Sequence, residues 1–214
     1  MKLSSRVIQT ARAMNRLGIN IGSSGNVSAR QGDGFLITPT GMNYADLADA
    51  DLVLMSAEGD VIAGSRRPSS EWLFHLDIYA RRAEFGAIVH VHSRAATALA
   101  CLREPIPSFH YMVASAGGTD IRCAEYALFG TQELSAAVLV ALHERRACLL
   151  ANHGLVACGV DLPAALDLAV EVEQLAIQYL LARQSGQPVL LTEGEMAEVM
   201  KKFAGYGQQP SGTD

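Results

Sequence analysis

His90-Val91-His92 places two imidazoles two residues apart at the end of the apolar run Ala87-Ile88-Val89. Side chains alternate between the faces of a strand, so both rings would point the same way, about 6 to 7 Å apart along the backbone, a chelating spacing. Taken alone, the pair fits an ordinary strand end with hydrogen-bonded histidines equally well. His153 lies between two further apolar runs in Asn152-His153-Gly154, a turn from which its ring could project toward the same cleft. Three protein ligands plus an open position is the arrangement of a catalytic zinc rather than a structural one. His75, His110 and His143 fit less well, because His75 and His143 fall in expected helices that would have to aim into that cleft.

Pro68-Ser69-Ser70-Glu71 opens an expected helix. Simple capping explains it, with Ser70 accepting an orphan amide and Glu71 favoured at the positive end of the helix. The same geometry offers hydroxyls and free amides to a phosphate. A carboxylate there, close to a metal, could act as fourth ligand, general base, or both in turn. Ser23-Ser24-Gly25-Asn26-Val27-Ser28 and Thr38-Pro39-Thr40-Gly41 read as glycine turns that could form an uncharged phosphate cradle. Neither is a nucleotide fingerprint. The chain has only three lysines, Lys2, Lys201 and Lys202, none in an apolar setting that would lower its pKa for a Schiff base. Carbonyl chemistry here would therefore use a metal.

The elements that must hold these residues alternate between helical and strand periods. Helix is expected over 3 to 18, from 71 to about 82 and from 95 to 102. It recurs from Thr131 through His143, from Asp161 with Pro163 in the first turn, and over 194 to 204. Strands are expected over 34 to 38, 52 to 55, 60 to 62, 87 to 91, 147 to 151 and 155 to 158. Helices and strands mix without strict βαβ repetition, which predicts a single α/β domain of three layers, α/β/α, around a largely antiparallel central sheet. The tail after Gly207, rich in Gln, Pro, Ser and Gly, reads as flexible, leaving one domain over 1 to 207.

Composition sets the outer bounds. The 214 residues are 50% hydrophobic and 18% charged, with a formal net charge of -5, enough chain for one substantial core. No basic block marks a nucleic-acid or anionic-membrane partner, and no apolar run approaches the roughly 18 residues that span a bilayer. Cys101, Cys123, Cys148 and Cys158 are isolated, mostly in apolar surroundings, and read as core residues of a cytoplasmic protein. The basic first helix imitates a transit peptide, but its apolar face, Leu3, Val7, Ala11, Met14 and Leu17, runs directly into the Gly25-Asn26 segment and reads as part of the fold.

Together, Gly25-Asn26-Val27-Ser28, Ile37-Thr38-Pro39-Thr40-Gly41, Ser69-Ser70-Glu71-Trp72, His90-x-His92 and Asn152-His153-Gly154 strongly resemble the class II aldolase/adducin family, over nearly the whole chain. The segments His110-Tyr111-Met112-Val113, Ala116-Gly117-Gly118 and Tyr126 to Thr131 are similar to the branch that cleaves L-fuculose 1-phosphate. The resemblance implies one zinc per subunit held by His90, His92 and His153, with Glu71 an exchangeable ligand that becomes the acid/base. It implies substrate and phosphate contacts from Gly25, Asn26, Thr40, Gly41, Ser69 and Ser70. It also implies a cyclic homotetramer with active sites between subunits, where Tyr111 handles the aldehyde-side proton of a neighbour and Phe129, Phe203 and Tyr206 lie near. A core tyrosine is the alternative for Tyr111.

The activity implied is retro-aldol cleavage of a ketose 1-phosphate, foremost L-fuculose 1-phosphate, to dihydroxyacetone phosphate and an aldehyde, here L-lactaldehyde. Alternatives are an aldolase for 5-deoxyribulose or methylthioribulose 1-phosphate, a sugar-acid phosphate decarboxylase, ribulose-5-phosphate 4-epimerase, or a noncatalytic adducin-like module. His110-Tyr111-Met112-Val113 stands where the epimerase branch has a Thr-His-Ala-Asp-like segment, which disfavours epimerisation. Ser23-Ser24 and Val91 also depart from the fuculose branch, yet leave the metal ligands intact. Three imidazoles and a carboxylate accept other first-row divalent ions besides zinc.

Overall fold

Apolar residues at period two along β5 (Ala87–Val91) face opposite sides of a sheet: Ala87, Val89 and Val91 join one core cluster, Ile88 the other. The structure, a computed structural model, describes residues 1–203. β5 lies near the centre of an eight-stranded sheet with β1 (Asn26–Gln31), β2 (Gly34–Ile37), β3 (Val53–Met55), β4 (Val61–Ala63), β6 (Cys123–Ala124), β7 (Ala147–Leu150) and β8 (Gly154–Gly159). The order is β4-β3-β2-β1-β5-β8-β7-β6, antiparallel except for the β6 and β7 pair. Ile88 is fully buried, and truncating such a side chain to alanine costs about 2 to 5 kcal/mol.

Helices cover both faces. The cluster containing Val89 also takes the buried stripes of α1 (Leu3–Arg16), α3 (Arg94–Leu102), α5 (Leu162–Ser185) and α6 (Glu193–Phe203). The cluster containing Ile88 takes α2 (Trp72–Arg81) and α4 (Gln132–Ala141). This is the expected three-layer α/β/α arrangement around a mostly antiparallel sheet. The Glu173 carboxylate on α5, buried, accepts hydrogen bonds from the Ala95 and Ala96 amides at 2.9 Å each, occupying the otherwise unpaired first turn of α3. That bond pair anchors the chain just after His92.

Three expectations change, and two short elements are added. Residues 26 to 31, of which 26 to 28 read as the end of a glycine turn, form β1, pairing with β5 in the register Asn26 to His90 and Ser28 to Ile88. Their polar positions, Asn26 and Ser28, are buried and satisfied internally, so the alternation looks polar where the strand is central. Ser70 does not cap α2: Glu71 occupies the cap position without a capping bond, and Ser69 Oγ accepts from the Glu71 amide at 3.3 Å. Of the cysteines, all free, Cys148 and Cys158 are core residues, but Cys123 is only partly buried and Cys101 is exposed at the end of α3. Finally, β6 is two residues long, too short to leave a sequence period, and Tyr111–Ala116 forms a 3-10 segment.

Candidate metal centre

His90 points to the α2 face of the sheet, its ring edge-on to Phe74. Its Nδ1 donates to the Leu155 carbonyl on neighbouring β8 at 2.8 Å. A carbonyl only accepts, so the proton is on Nδ1 and the Nε2 lone pair is bare. His92 follows on the same side, and the two rings lean together until their Nε2 atoms are 3.0 Å apart, much closer than the backbone spacing. His153 joins through the β7 to β8 turn, where Asn152 takes the left-handed φ of 55° that asparagine tolerates. The next residue must be glycine: a Cβ at Gly154 would come 2.5 Å from the Val91 carbonyl oxygen and 3.0 Å from the His92 ring. All three ring centroids are 4.9 Å from one another.

Glu71 faces them from the start of α2. Its Oε2 is 3.2 Å from His90 Nε2 and its Oε1 is 3.1 Å from His153 Nε2. Asn26 Nδ2 donates to Oε2 at 3.0 Å, whereas Oε1 is buried and makes no hydrogen bond despite its proximity to His153. One ligand atom from each of Glu71, His90, His92 and His153 falls within 4.8 Å of the others. A buried carboxylate oxygen left without a donor is costly, and lone pairs converging at about 3 Å repel unless a proton or cation lies between them. These residues therefore fit a divalent ion.

The titration directions agree with such a centre. Burial raises the Glu71 pKa, but the His90 and His153 imidazoles, 3.2 and 3.1 Å from its two oxygens, outweigh it and hold the carboxyl well below its usual range. Burial lowers His90, yet the Glu71 carboxylate lifts it above the ordinary imidazole value. His92 goes the other way, lowered to about 4 by burial and by its two histidine neighbours.

The centre opens on a cavity of about 290 Å³. Ser24 and Ser70 line it together with Glu71, His92, Asn152 and His153, and the run Tyr126 to Phe129 contributes an apolar wall. Tyr126, Leu128 and Phe129 are all more than half exposed there. The expected phosphate segments are brought together: the Ser69 amide donates to the Thr38 carbonyl at 3.0 Å, the Thr40 amide to Arg67 at 3.2 Å, and Pro39 bridges to Pro68. Gly25 has no room for a side chain, since a Cβ would sit 2.4 Å from the His90 carbonyl oxygen, and Gly41 has a φ of 69°.

Other expected residues are placed apart from the cavity walls. Tyr111 begins the 3-10 segment, 51% exposed with its ring beside His110. Phe203 ends α6 and packs against the core. Tyr206 and the tail lie outside the described residues. His75, set aside as a helix residue, is fully buried and contacts Asn26 and Ser28 rather than the ligand cluster. Its sequence signal existed, since it lies four residues after Glu71 and therefore on the same helix face. All three lysines are exposed, a setting that leaves an amine solvated and protonated. Among the described residues, no helix is long and apolar enough to cross a membrane.

Residues 5–180 match the family model described as Class II Aldolase and Adducin N-terminal domain, and the chain belongs to that family. Among its relatives is the 5-methylthioribulose-1-phosphate/5-deoxyribulose-1-phosphate aldolase of Rhodospirillum rubrum, 53% identical over 201 residues, which are 94% of this chain and 90% of the relative. The L-fuculose phosphate aldolase of Escherichia coli K12 is 48% identical over 207 residues, 96% of each chain. A solved structure titled L-fuculose 1-phosphate aldolase superposes with a TM-score of 0.92 at 41% identity, covering 94% of this chain and 96% of that one.

Proposed function

We propose that the chain is a zinc-dependent aldehyde-lyase that cleaves a ketose 1-phosphate between C3 and C4, releasing dihydroxyacetone phosphate and an aldehyde. The observation that carries this reading is the cluster of three histidines and Glu71, in which one carboxylate oxygen is held by Asn26 and the other is free of hydrogen bonds. A divalent ion bound there supplies a Lewis acid for the negative charge that develops on the ketose oxygens.

The chain's own groups account for the remaining steps. Backbone amides and hydroxyls around Gly25, Asn26, Thr40, Gly41, Ser69 and Ser70 receive the phosphate without a lysine or arginine. The C4 hydroxyl gives up its proton to Tyr111 of a neighbouring subunit, the C3–C4 bond breaks, and its electron pair passes to the C2–C3 unit. Glu71, which has first taken the proton of the C3 hydroxyl, then delivers it to C3, and the C3 oxygen recovers the proton that Tyr111 took from the C4 hydroxyl. Exposure of Tyr111 away from its own cavity supports a role across a subunit boundary, in a homotetramer with shared sites. Four free cysteines fit a cytoplasmic setting.

L-fuculose 1-phosphate is the leading substrate, with L-lactaldehyde as its aldehyde product. The Rhodospirillum rubrum relative favours a second reading, an aldolase for 5-deoxyribulose or methylthioribulose 1-phosphate, and the apolar wall from Tyr126 to Phe129 suits the methyl or thioether end of either ketose. Metal analysis of protein purified without added salts, followed by coupled detection of dihydroxyacetone phosphate from all three ketose 1-phosphates and of xylulose 5-phosphate from ribulose 5-phosphate, separates these. Product is expected from at least one ketose 1-phosphate and none from ribulose 5-phosphate. No dihydroxyacetone phosphate from any of them overturns the assignment, and the order of kcat/KM decides between the two readings.

A further inference from the structure

Behind the ligand cluster lies a buried line of polar groups that the proposed chemistry leaves unused. Asn26 and Ser28, two residues apart on β1, face the same side and meet the two nitrogens of the His75 ring. His75 Nε2 is 2.6 Å from Asn26 Oδ1, and His75 Nδ1 is 2.7 Å from Ser28 Oγ. Ser28 Oγ is in turn 2.8 Å from Tyr79 Oη. Phe74 stacks on the imidazole with centroids 4.6 Å apart, and all four polar residues are buried.

The carboxylate of Glu71 sets the direction of every bond in this line. An ionised carboxylate only accepts, so Asn26 turns its amino group to Glu71 and its Oδ1 to His75. Oδ1 only accepts, so the His75 proton is on Nε2. Nδ1 then accepts from the Ser28 hydroxyl, whose oxygen accepts from Tyr79. Reversing the Asn26 carboxamide would place oxygen against oxygen at Glu71 and would require the His75 proton to move to Nδ1.

We propose that His75 is a positioning residue, which holds the Asn26 carboxamide in the one orientation that steadies Glu71 and leaves its other oxygen free for the metal and for the proton transfer. The inference rests on the reading of Glu71 given above. His75 itself touches neither the ligand cluster nor the cavity wall; it acts through Asn26.

His75→Phe keeps the volume and removes both ring hydrogen bonds. Loss of a partner behind a ligand commonly costs about 10- to 100-fold in metal affinity or activity, and that loss is expected in kcat and, by chelator competition, in zinc affinity. Tyr79→Phe cuts only the far end, leaves the Ser28 to His75 bond in place, and is expected to lower stability while changing both readouts by less than about threefold. Should His75→Phe not fold, Ser28→Ala removes the donor to Nδ1 and is expected to weaken zinc binding in the same direction.

In a Glu71→Gln background the effect of His75→Phe on zinc affinity should largely vanish, because the line then ends on a group that can both donate and accept. Nitrogen NMR of labelled histidine should find His75 neutral with its proton on Nε2. Unchanged zinc affinity and kcat in folded His75→Phe, or a proton found on Nδ1 alone, overturns the proposal. An active Glu71→Gln enzyme instead overturns the reading on which it rests.

Discussion

Asn26 Nδ2 donates to Glu71 Oε2 at 3.0 Å and leaves Oε1 of the same carboxylate buried without a hydrogen bond. The two oxygens are thereby made inequivalent. One is tied to β1, and the other faces His153 in the space where the histidine lone pairs converge. A carboxylate held in this way can give up contact with a metal and take up a proton without losing its position.

The subunit-sharing proposal for Tyr111 has a direct complementation test. Tyr111→Phe and Glu71→Gln should each lose about 10²- to 10⁴-fold in turnover, the usual range for removing an acid/base group. In heteromers formed from equal amounts of the two variants, about one quarter of the sites in a closed ring would combine an intact Glu71 with an intact neighbouring Tyr111. Recovery of activity toward that fraction, measured after refolding the mixture, is expected. A mixture no more active than its parents contradicts a shared site.

Glu173 should matter to stability out of proportion to its distance from the chemistry. Its two charge-assisted bonds close the first turn of α3 from within the core, so Glu173→Ala leaves the Ala95 and Ala96 amides unpaired. A loss of about 2 to 3 kcal/mol is expected in urea denaturation. A loss below about 0.5 kcal/mol, the range of ordinary surface changes, contradicts this role.

His75 contributes a defined pH dependence. Burial, aided by the His90 charge and opposed by Glu71, lowers its pKa from 6.5 to about 3. Between those values the unfolded chain binds a proton that the folded chain does not. The stabilisation is therefore complete above pH 6.5 and is lost as pH falls through that window, by about 1.4 kcal/mol per unit at most. Urea midpoints of metal-loaded protein between pH 7 and 4 should fall more steeply for the native chain than for His75→Gln. Parallel slopes contradict a neutral buried His75.

Much of the centre was legible because its signals are local. His90 and His92 share a face by strand alternation, and Gly154 after His153 marks a turn tight enough that no Cβ fits. The three-layer fold followed from the alternation of periods. What the sequence hid depends on contacts between distant elements. Strand β1 looked like a turn because Asn26 and Ser28 satisfy each other's surroundings through α2, which no local window contains. Ser70 was the better cap by residue type, yet the Pro39 to Pro68 bridge and the Ser69 bond to Thr38 fix the loop so that Ser69 meets the Glu71 amide. His75 was set aside as a helix residue, and its partners, 47 and 49 residues away in sequence, lie outside any local window.

The central claim is that Glu71 is the proton-transfer group of a metal-dependent aldolase. Glu71→Gln preserves size and the hydrogen bond capacity toward Asn26 but removes the titrating carboxylate. Coupled detection of dihydroxyacetone phosphate, together with metal content measured on the same sample, tests it most directly. Zinc is expected to stay on the three histidines while turnover falls by about 10²-fold or more. Full turnover in a zinc-loaded Glu71→Gln enzyme would contradict it.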